Sequence, residues 1–382
     1  MHARIASLTA TAAVLVFAAA PAVAAGGTSY STTPSSTAWS VTGGQVYAMV
    51  RAGDKIIIGG TFTAVRSPSG TSWPRNRIAM LSASTGAPVT GWDPGANNTI
   101  RALATDGTRL WAGGSFTTIG GASRSDLALL SVSTGTVQTA FTANGNGEVR
   151  SLYYGNSRLY AGGLFTKIGT TTRTRAAALN PATGALDASW KPVASWAVNS
   201  IAPVPGTTSL VLGGEFSTLS TQPRRYLAMV HNTTGAVLPW APAAECNDPD
   251  NPCIVKSVAV TSSMVYAAVA GVGGRVAAYY VSSGARRWVQ FGDGDAQVVT
   301  LSGTTLFAGG HFDPQFGNGG PRSELAALNS TTGSMLAYSP KVQGGSGIWA
   351  MLAGSDGLQI AGSFTMVNGV TARKGYAAFP LG

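Results

Sequence analysis

The chain is poor in charge, in cysteine and in histidine. Of 382 residues only 25 are Lys or Arg and 15 are Asp or Glu, with 3 His and 2 Cys. Helical bundles and coiled coils need many Glu and Lys on their outer faces, so so little charge excludes them. Disorder needs low hydrophobicity and high net charge, whereas 45% of this chain is hydrophobic. With three histidines there is little material for a metal centre or for proton transfer. The single long apolar run, Ile5–Ala20, is short of the roughly 20 residues that span a bilayer. It follows Arg4 and precedes Ala22-Val23-Ala24, so residues 1–24 read as a secretory signal peptide and 25–37 as an N-terminal linker. The remainder is expected to be secreted, extracellular and monomeric, with no transmembrane segment. What the chain has in excess is glycine, 50 residues, and a net charge of +10.

Both cysteines, Cys246 and Cys253, lie in one loop of an exported chain, which predicts a local disulfide. No further Cys or His stands near enough to complete a zinc site, and Asp248 and Asp250 fall short of a calcium loop. No metal and no cofactor is expected.

A line of about nine residues recurs: IAMLSASTG from Ile78, LALLSVSTG from Leu127, AAALNPATG from Ala176, LAMVHNTTG from Leu227, VAAYYVSSG from Val276, LAALNSTTG from Leu325 and YAAFPLG from Tyr376. Its first internal alanine falls at 79, 128, 177, 228, 277, 326 and 377, a period of about 50 residues. A second line precedes it, as IIIGGTFT ending at Thr63 or LWAGGSFT at Thr117; the fifth copy, VYAAVAGV, departs. A third, Val/Ile-x-Ala/Ser/Thr, starts at Val46, Ile100, Val149, Val198, Val255, Val298 and Ile348. A fourth carries an aromatic: Trp92, Phe141, Trp190, Trp240, Trp288 and Tyr338. Four short apolar runs per repeat, here called A to D, separated by Gly, Asn and Ser turns, predict four-stranded antiparallel meanders. Seven of these predict an all-β, seven-bladed β-propeller over 38–382. The last repeat lacks run D, and the strand around Trp39 is expected to supply it and close the ring.

The Gly-Gly-x-Phe run, a following basic residue and the apolar-Ala-x-apolar run ending in Thr-Gly resemble the delta-sixty repeat of exported bacterial β-propellers. The resemblance implies a binding or scaffold module and supplies no catalytic motif.

The loops between runs B and C hold Arg66, Arg75, Arg77, Arg124, Lys167, Arg173, Arg175, Arg224, Arg225, Arg275, Arg322, Arg373 and Lys374, against Asp126 and Glu324. These loops and the D–A connections share one end of a meander, so that end is expected to be a basic face. Arg77, Arg175 and Arg275 abut run C and are equally suited to bonding backbone carbonyls; Arg66, Arg75, Lys167 and Arg173 exceed one per repeat and read as surface charge, with Arg224, Arg225, Arg373 and Lys374 beside them. A second candidate site is the second residue of run A: Tyr47, Arg101, Arg150, Asn199, Lys256, Val299 and Trp349. Structural residues repeat because each repeat packs alike, whereas this position varies and is mostly polar or aromatic, as a ligand-binding channel mouth would be. The expected partner is an anionic glycan or an acidic protein surface. Specific nucleic-acid binding is not expected, since the chain is exported and its basic loops lack interleaved aromatics. The alternative is a polysaccharide or small-molecule lyase or hydrolase, for which His311 and Glu215 are the weak titratable candidates, with Asp313 near His311.

Overall fold

The computed structural model describes residues 29–243, 253–271 and 273–382. The signal-peptide assignment and Cys246 lie outside the described residues. Among those described there is no α-helix, and none is long and apolar enough to cross a membrane.

Among the described residues seven antiparallel sheets built from runs A, B and C in that order follow one another along the chain. The A strands are Val46–Ala52, Ile100–Thr105, Val149–Gly155, Val198–Pro203, Ile254–Val260, Asp295–Ser302 and Ile348–Gly354. The B strands are Lys55–Gly60, Arg109–Gly114, Arg158–Gly163, Ser209–Gly214, Met264–Ala270, Thr305–His311 and Gly357–Gly362. The C strands are Ile78–Ser82, Leu127–Ser131, Ala176–Leu179, Leu227–His231, Arg275–Tyr280, Leu325–Asn329 and Tyr376–Phe379. Each A strand contacts the next, and the seventh contacts the first. Strands B and C are buried along almost their whole length, which explains why their runs are apolar throughout rather than alternating.

Four strands per sheet hold only in the fifth, where Arg286–Phe291 pairs fully with strand C. Elsewhere run D is reduced to a single bridge, such as Leu81↔Pro88, Leu179↔Leu186 or Leu328↔Met335. Prolines such as Pro88 and Pro94 have no N–H for a ladder, but the second run D, VQTAFTANG from Val137, has no proline and still makes a single bridge, Leu130↔Val137. Run D holds its place through its aromatic instead. Trp92, Trp190, Trp240 and Trp288 donate their indole N–H groups to Val132 O, His231 O, Tyr280 O and Ser330 O, at the end of strand C in the following sheet (2.9, 3.1, 2.9 and 3.0 Å). The B–C loops are more ordered than loops: four of them form small hairpins, Ala64–Arg66 with Ser72–Pro74 being the first.

The N-terminal segment lies beside the seventh strand C. Tyr30 bridges Leu381, and Ser31 N and Ser35 N donate to Pro380 O and Ala378 O. In the other sheets the aromatic follows the residue so bonded by two or three positions, as Trp92 follows Val89 and Tyr338 follows Leu336. Here those positions are Thr37 and Ala38. The bridge to the next B–C loop falls four residues after the aromatic elsewhere, at Ala96 after Trp92 and Ala194 after Trp190, and here it falls at Val41, so the aromatic's place is Thr37, two residues before Trp39. Trp39 therefore does not join the Trp92 series; it packs edge-on against Trp73 at 5.7 Å.

The paired glycines of strand B have two separate reasons. A Cβ on Gly113 would stand 2.6 Å from Val149 of the next sheet, and one on Gly114 would stand 2.0 Å from Thr99 O in its own. The first glycine lets sheets approach, and the second lets strand A cross strand B. Gly114→Ala is expected to destabilise the protein by roughly 1–3 kcal/mol, the scale of an overpacked core. Urea unfolding of the pair measures it, and an unchanged midpoint would remove the reason given for the motif.

Candidate functional site

Opposite the second glycine, or opposite Val269 in the fifth sheet, strand A carries a β-bulge. The register shifts between Val46 and Ala48, Ile100 and Ala102, Val149 and Ser151, Val198 and Ser200, Val255 and Ser257, Ala296 and Val298, and Ile348 and Ala350. The skipped residues are Tyr47, Arg101, Arg150, Asn199, Lys256, Gln297 and Trp349. A bulged residue leaves the ladder and its side chain is re-aimed. All seven line one cavity of about 490 Å³. Six are the residues the varying column singles out. In the sixth sheet the column is displaced by two: the bulge falls on Gln297, and Val299 is a buried core residue.

Half of this cavity is internally neutralised. Glu148, just before the third bulge, takes Arg101 Nε on Oε1 (2.9 Å) and Arg150 Nε on Oε2 (2.8 Å), and Ser115 Oγ also donates to Oε1 (3.2 Å). Arg150 continues to Glu215 Oε1 (2.9 Å) and Asn199 Oδ1 (3.1 Å). Asn199 Nδ2 donates to Glu215 Oε1 and Val255 O, and Trp196 Nε1 to Glu215 Oε2 (3.0 Å). Burial pushes the Glu148 carboxyl up, but the Arg150 and Arg101 guanidiniums outweigh it and hold it below the usual carboxylate range. Arg101 also lies 3.6 Å from the centroid of Tyr47, whose ring meets Trp349 edge-on at 5.5 Å.

The other half is left open. Among the described residues Lys256 makes no hydrogen bond and no ion pair; Asp295 and Glu215 are near enough only for longer-range attraction. Burial lowers the Lys256 ammonium below the ordinary lysine range, against the pull of Glu215. Beside it, Gln297 Oε1 and Trp349 Nε1 are buried without a hydrogen-bond partner. An unpaired cation, an unpaired acceptor and an unpaired donor on one wall are suited to a ligand bearing an acid group and hydroxyls.

Glu215 belongs to this cavity, while His311 is exposed and off its wall, so the two catalytic candidates are not brought together. Among the described residues no group of three or more His, Cys, Asp or Glu could hold a metal. Composition could not have shown Glu148 or Trp196. Glu148 lies in the column preceding the bulge, which also varies (Gln45, Thr99, Glu148, Ala197, Ile254, Asp295, Gly347).

The basic face is largely used up within the fold. Arg75, Arg124, Arg173, Arg224 and Arg322 each donate NH1 to the carbonyl of the preceding residue, at 2.8–2.9 Å. Their NH2 groups reach run D of the same sheet: Val89 O, Thr139 O, Asp187 O, Leu238 O and Leu336 O, at 2.8–3.5 Å. Arg373 does the same with NH1 on Ala38 O of the N-terminal segment. Arg75, Arg173, Arg224 and Arg373 are therefore ties between run D and the B–C hairpin, and are not surface charge. Arg77 donates to Thr61 O (2.7 Å), Arg175 to Leu164 O and Arg275 to Gly273 O. Arg66, Lys167, Arg225 and Lys374 remain exposed.

No family model and no curated protein matches the sequence. Solved structures do. The WD40 β-propeller domain of Doa1 aligns at TM-score 0.56 and 13% identity, covering 90% of this chain and 97% of that one. The chain folds as a β-propeller. The computationally designed Ika8 protein aligns at TM-score 0.52 and 13% identity, covering 93% of this chain and 100% of that one. Identities this low carry the fold alone, so the propeller's function rests on its cavity.

Two of its B–C loops yield measurable consequences. Arg224→Ala leaves Leu238 O without its partner and is expected to cost about 1–3 kcal/mol, whereas Arg225→Ala next to it should be near neutral. Equal losses in thermal unfolding would contradict the division. Glu324 is buried at 3% exposure, and burial followed by the Asp313 charge pushes its carboxyl up to about 8. The folded protein thus holds a proton that the unfolded chain releases near pH 4.3, and stability should fall as pH rises from about 4 to 8. Glu324→Gln should flatten that slope in denaturant titrations, and a parallel slope in both proteins would refute it.

Proposed function

We propose that the chain is an exported propeller of the delta-sixty type whose cavity at the bulges binds an acidic sugar at the end of an extracellular glycan. In this reading the seven sheets are the blades of one disc, closed where residues 30–38 lie beside Tyr376–Phe379. The protein acts as a monomeric, non-enzymatic binding module, and Cys246 and Cys253 staple the loop before the fifth blade.

One observation carries the reading: the seven bulge residues share one backbone geometry and one cavity, yet differ in chemistry from sheet to sheet. Packing alone would make them alike, as it does the six glycines opposite them outside the fifth sheet. The size of the cavity suits one or two sugar rings and not a protein surface. Lys256 supplies the cation for the carboxylate, Trp349 Nε1 a donor, Gln297 Oε1 an acceptor for a hydroxyl, and the Tyr47–Trp349 pair an apolar wall. The Arg101–Glu148–Arg150–Glu215 chain holds the opposite wall rigid.

Calorimetric titration with oligogalacturonate tests this. Binding should weaken at least tenfold in Lys256→Met and fall as pH rises toward the lowered lysine value, because the ammonium loses its proton. It should persist in an Arg66→Ala/Lys167→Ala/Arg225→Ala variant. Loss in the triple variant with full binding by Lys256→Met would place recognition on the exposed loops and reject the cavity.

A further inference from the structure

The junctions between successive sheets are not equivalent. Six are filled by a run D aromatic: Trp92, Phe141, Trp190, Trp240, Trp288 and Tyr338. The seventh junction, between the last sheet and the first, has no run D ring, because Thr37, next to Ala38, stands where the aromatic belongs; the buried ring of Tyr376, at the start of strand C, lines part of it. A cavity of about 260 Å³ remains there, lined by Ser35, Ala38, Ala83, Gly86, Gln359 and Ala378.

The walls match those that receive Trp92 one junction on. Trp92 Nε1 donates to Val132 O, and the vacant Cβ position of Gly135 lies 3.3 Å from the indole. The corresponding turn at the empty junction is Ala83–Gly86. Ala83 O, the counterpart of Val132 O, accepts no hydrogen bond among the described residues. Ile57, Ile78 and Met80, in the cluster that holds Trp92, correspond to Gln359, Tyr376 and Ala378, so the slot is opened at Ala378, narrowed at one end by the Tyr376 ring, and has one polar amide on its floor. Gln359 is itself buried at 1% exposure, its Oε1 accepting from Arg51 NH2 (3.2 Å).

The geometry points to a binding site for a small planar aromatic molecule carrying one N–H or O–H donor, of the indole or phenol class. The ring occupies the place that six side chains occupy elsewhere, with its donor on Ala83 O. This site is separate from the bulge cavity and does not depend on what that cavity binds.

The probe is indole itself, followed by thermal unfolding. Saturating indole should raise the wild-type Tm by about 3 °C. Ala38→Trp should raise the Tm without ligand and abolish the response. Ala378→Met narrows the slot with the residue found at Met80 and should weaken the response at least fivefold; it decides the matter should Ala38→Trp fail to fold. Lys256→Met should respond as wild type does. No response in the wild type, an undiminished response in Ala378→Met, or a response lost in Lys256→Met would each overturn the assignment.

Discussion

A Cβ on Gly60 would stand 2.0 Å from the Gln45 carbonyl oxygen, and the equivalent glycines at 114, 163, 214, 310 and 362 stand as close to theirs, at 2.0–2.1 Å. That approach of strand A to strand B is the constraint on which the rest depends. In these six sheets it goes with an extra residue in strand A at the crossing, and the extra residue leaves the ladder for the common cavity. The site is thus a by-product of how each sheet is built. Seven repeats of one packing solution deliver seven side chains whose identity the packing leaves unspecified. The fifth sheet tests the rule from the other side. It has Ala268 and Val269 in place of the glycines, keeps the bulge at Lys256, and has a longer strand B and a full fourth strand.

Charge is scarce in this chain, and most of what there is serves the backbone. The short runs D cannot form ladders, so their carbonyls are bonded by guanidiniums from the B–C hairpins. An arginine suits this because its planar fork reaches two carbonyls at once. The basic excess that suggested an adhesive face is therefore mainly internal. What is left for a ligand is narrower: one lysine without a partner, on a wall whose neighbouring amide and indole are also unpaired.

Much of this was legible in the sequence. The spacing of the Ala-x-apolar and Gly-Gly lines located all seven sheets, and variation within an otherwise uniform column located six of the seven bulge residues. The failures have physical causes. Val298-Val299 imitates the start of run A because both faces of these strands are buried, which removes the alternation that would fix register; Gln297 was hidden by that. Arg75 and Arg173 looked superfluous because their carbonyl partners lie 14 residues along the chain, in a segment whose pairing is not a ladder. Trp39 matched its series in residue type but missed it by two positions, a difference visible only through the pairing of Val41 with Val65. Glu148 and Trp196 become part of the site only once neighbouring sheets are placed side by side.

A crystal structure of the protein soaked with galacturonate addresses the central claim most directly. The carboxylate should lie against Lys256 Nζ with a hydroxyl at Gln297 Oε1, inside the ring of seven bulge residues. Sugar bound instead at Arg66, Lys167, Arg225 or Lys374, with the cavity holding none, would contradict the account.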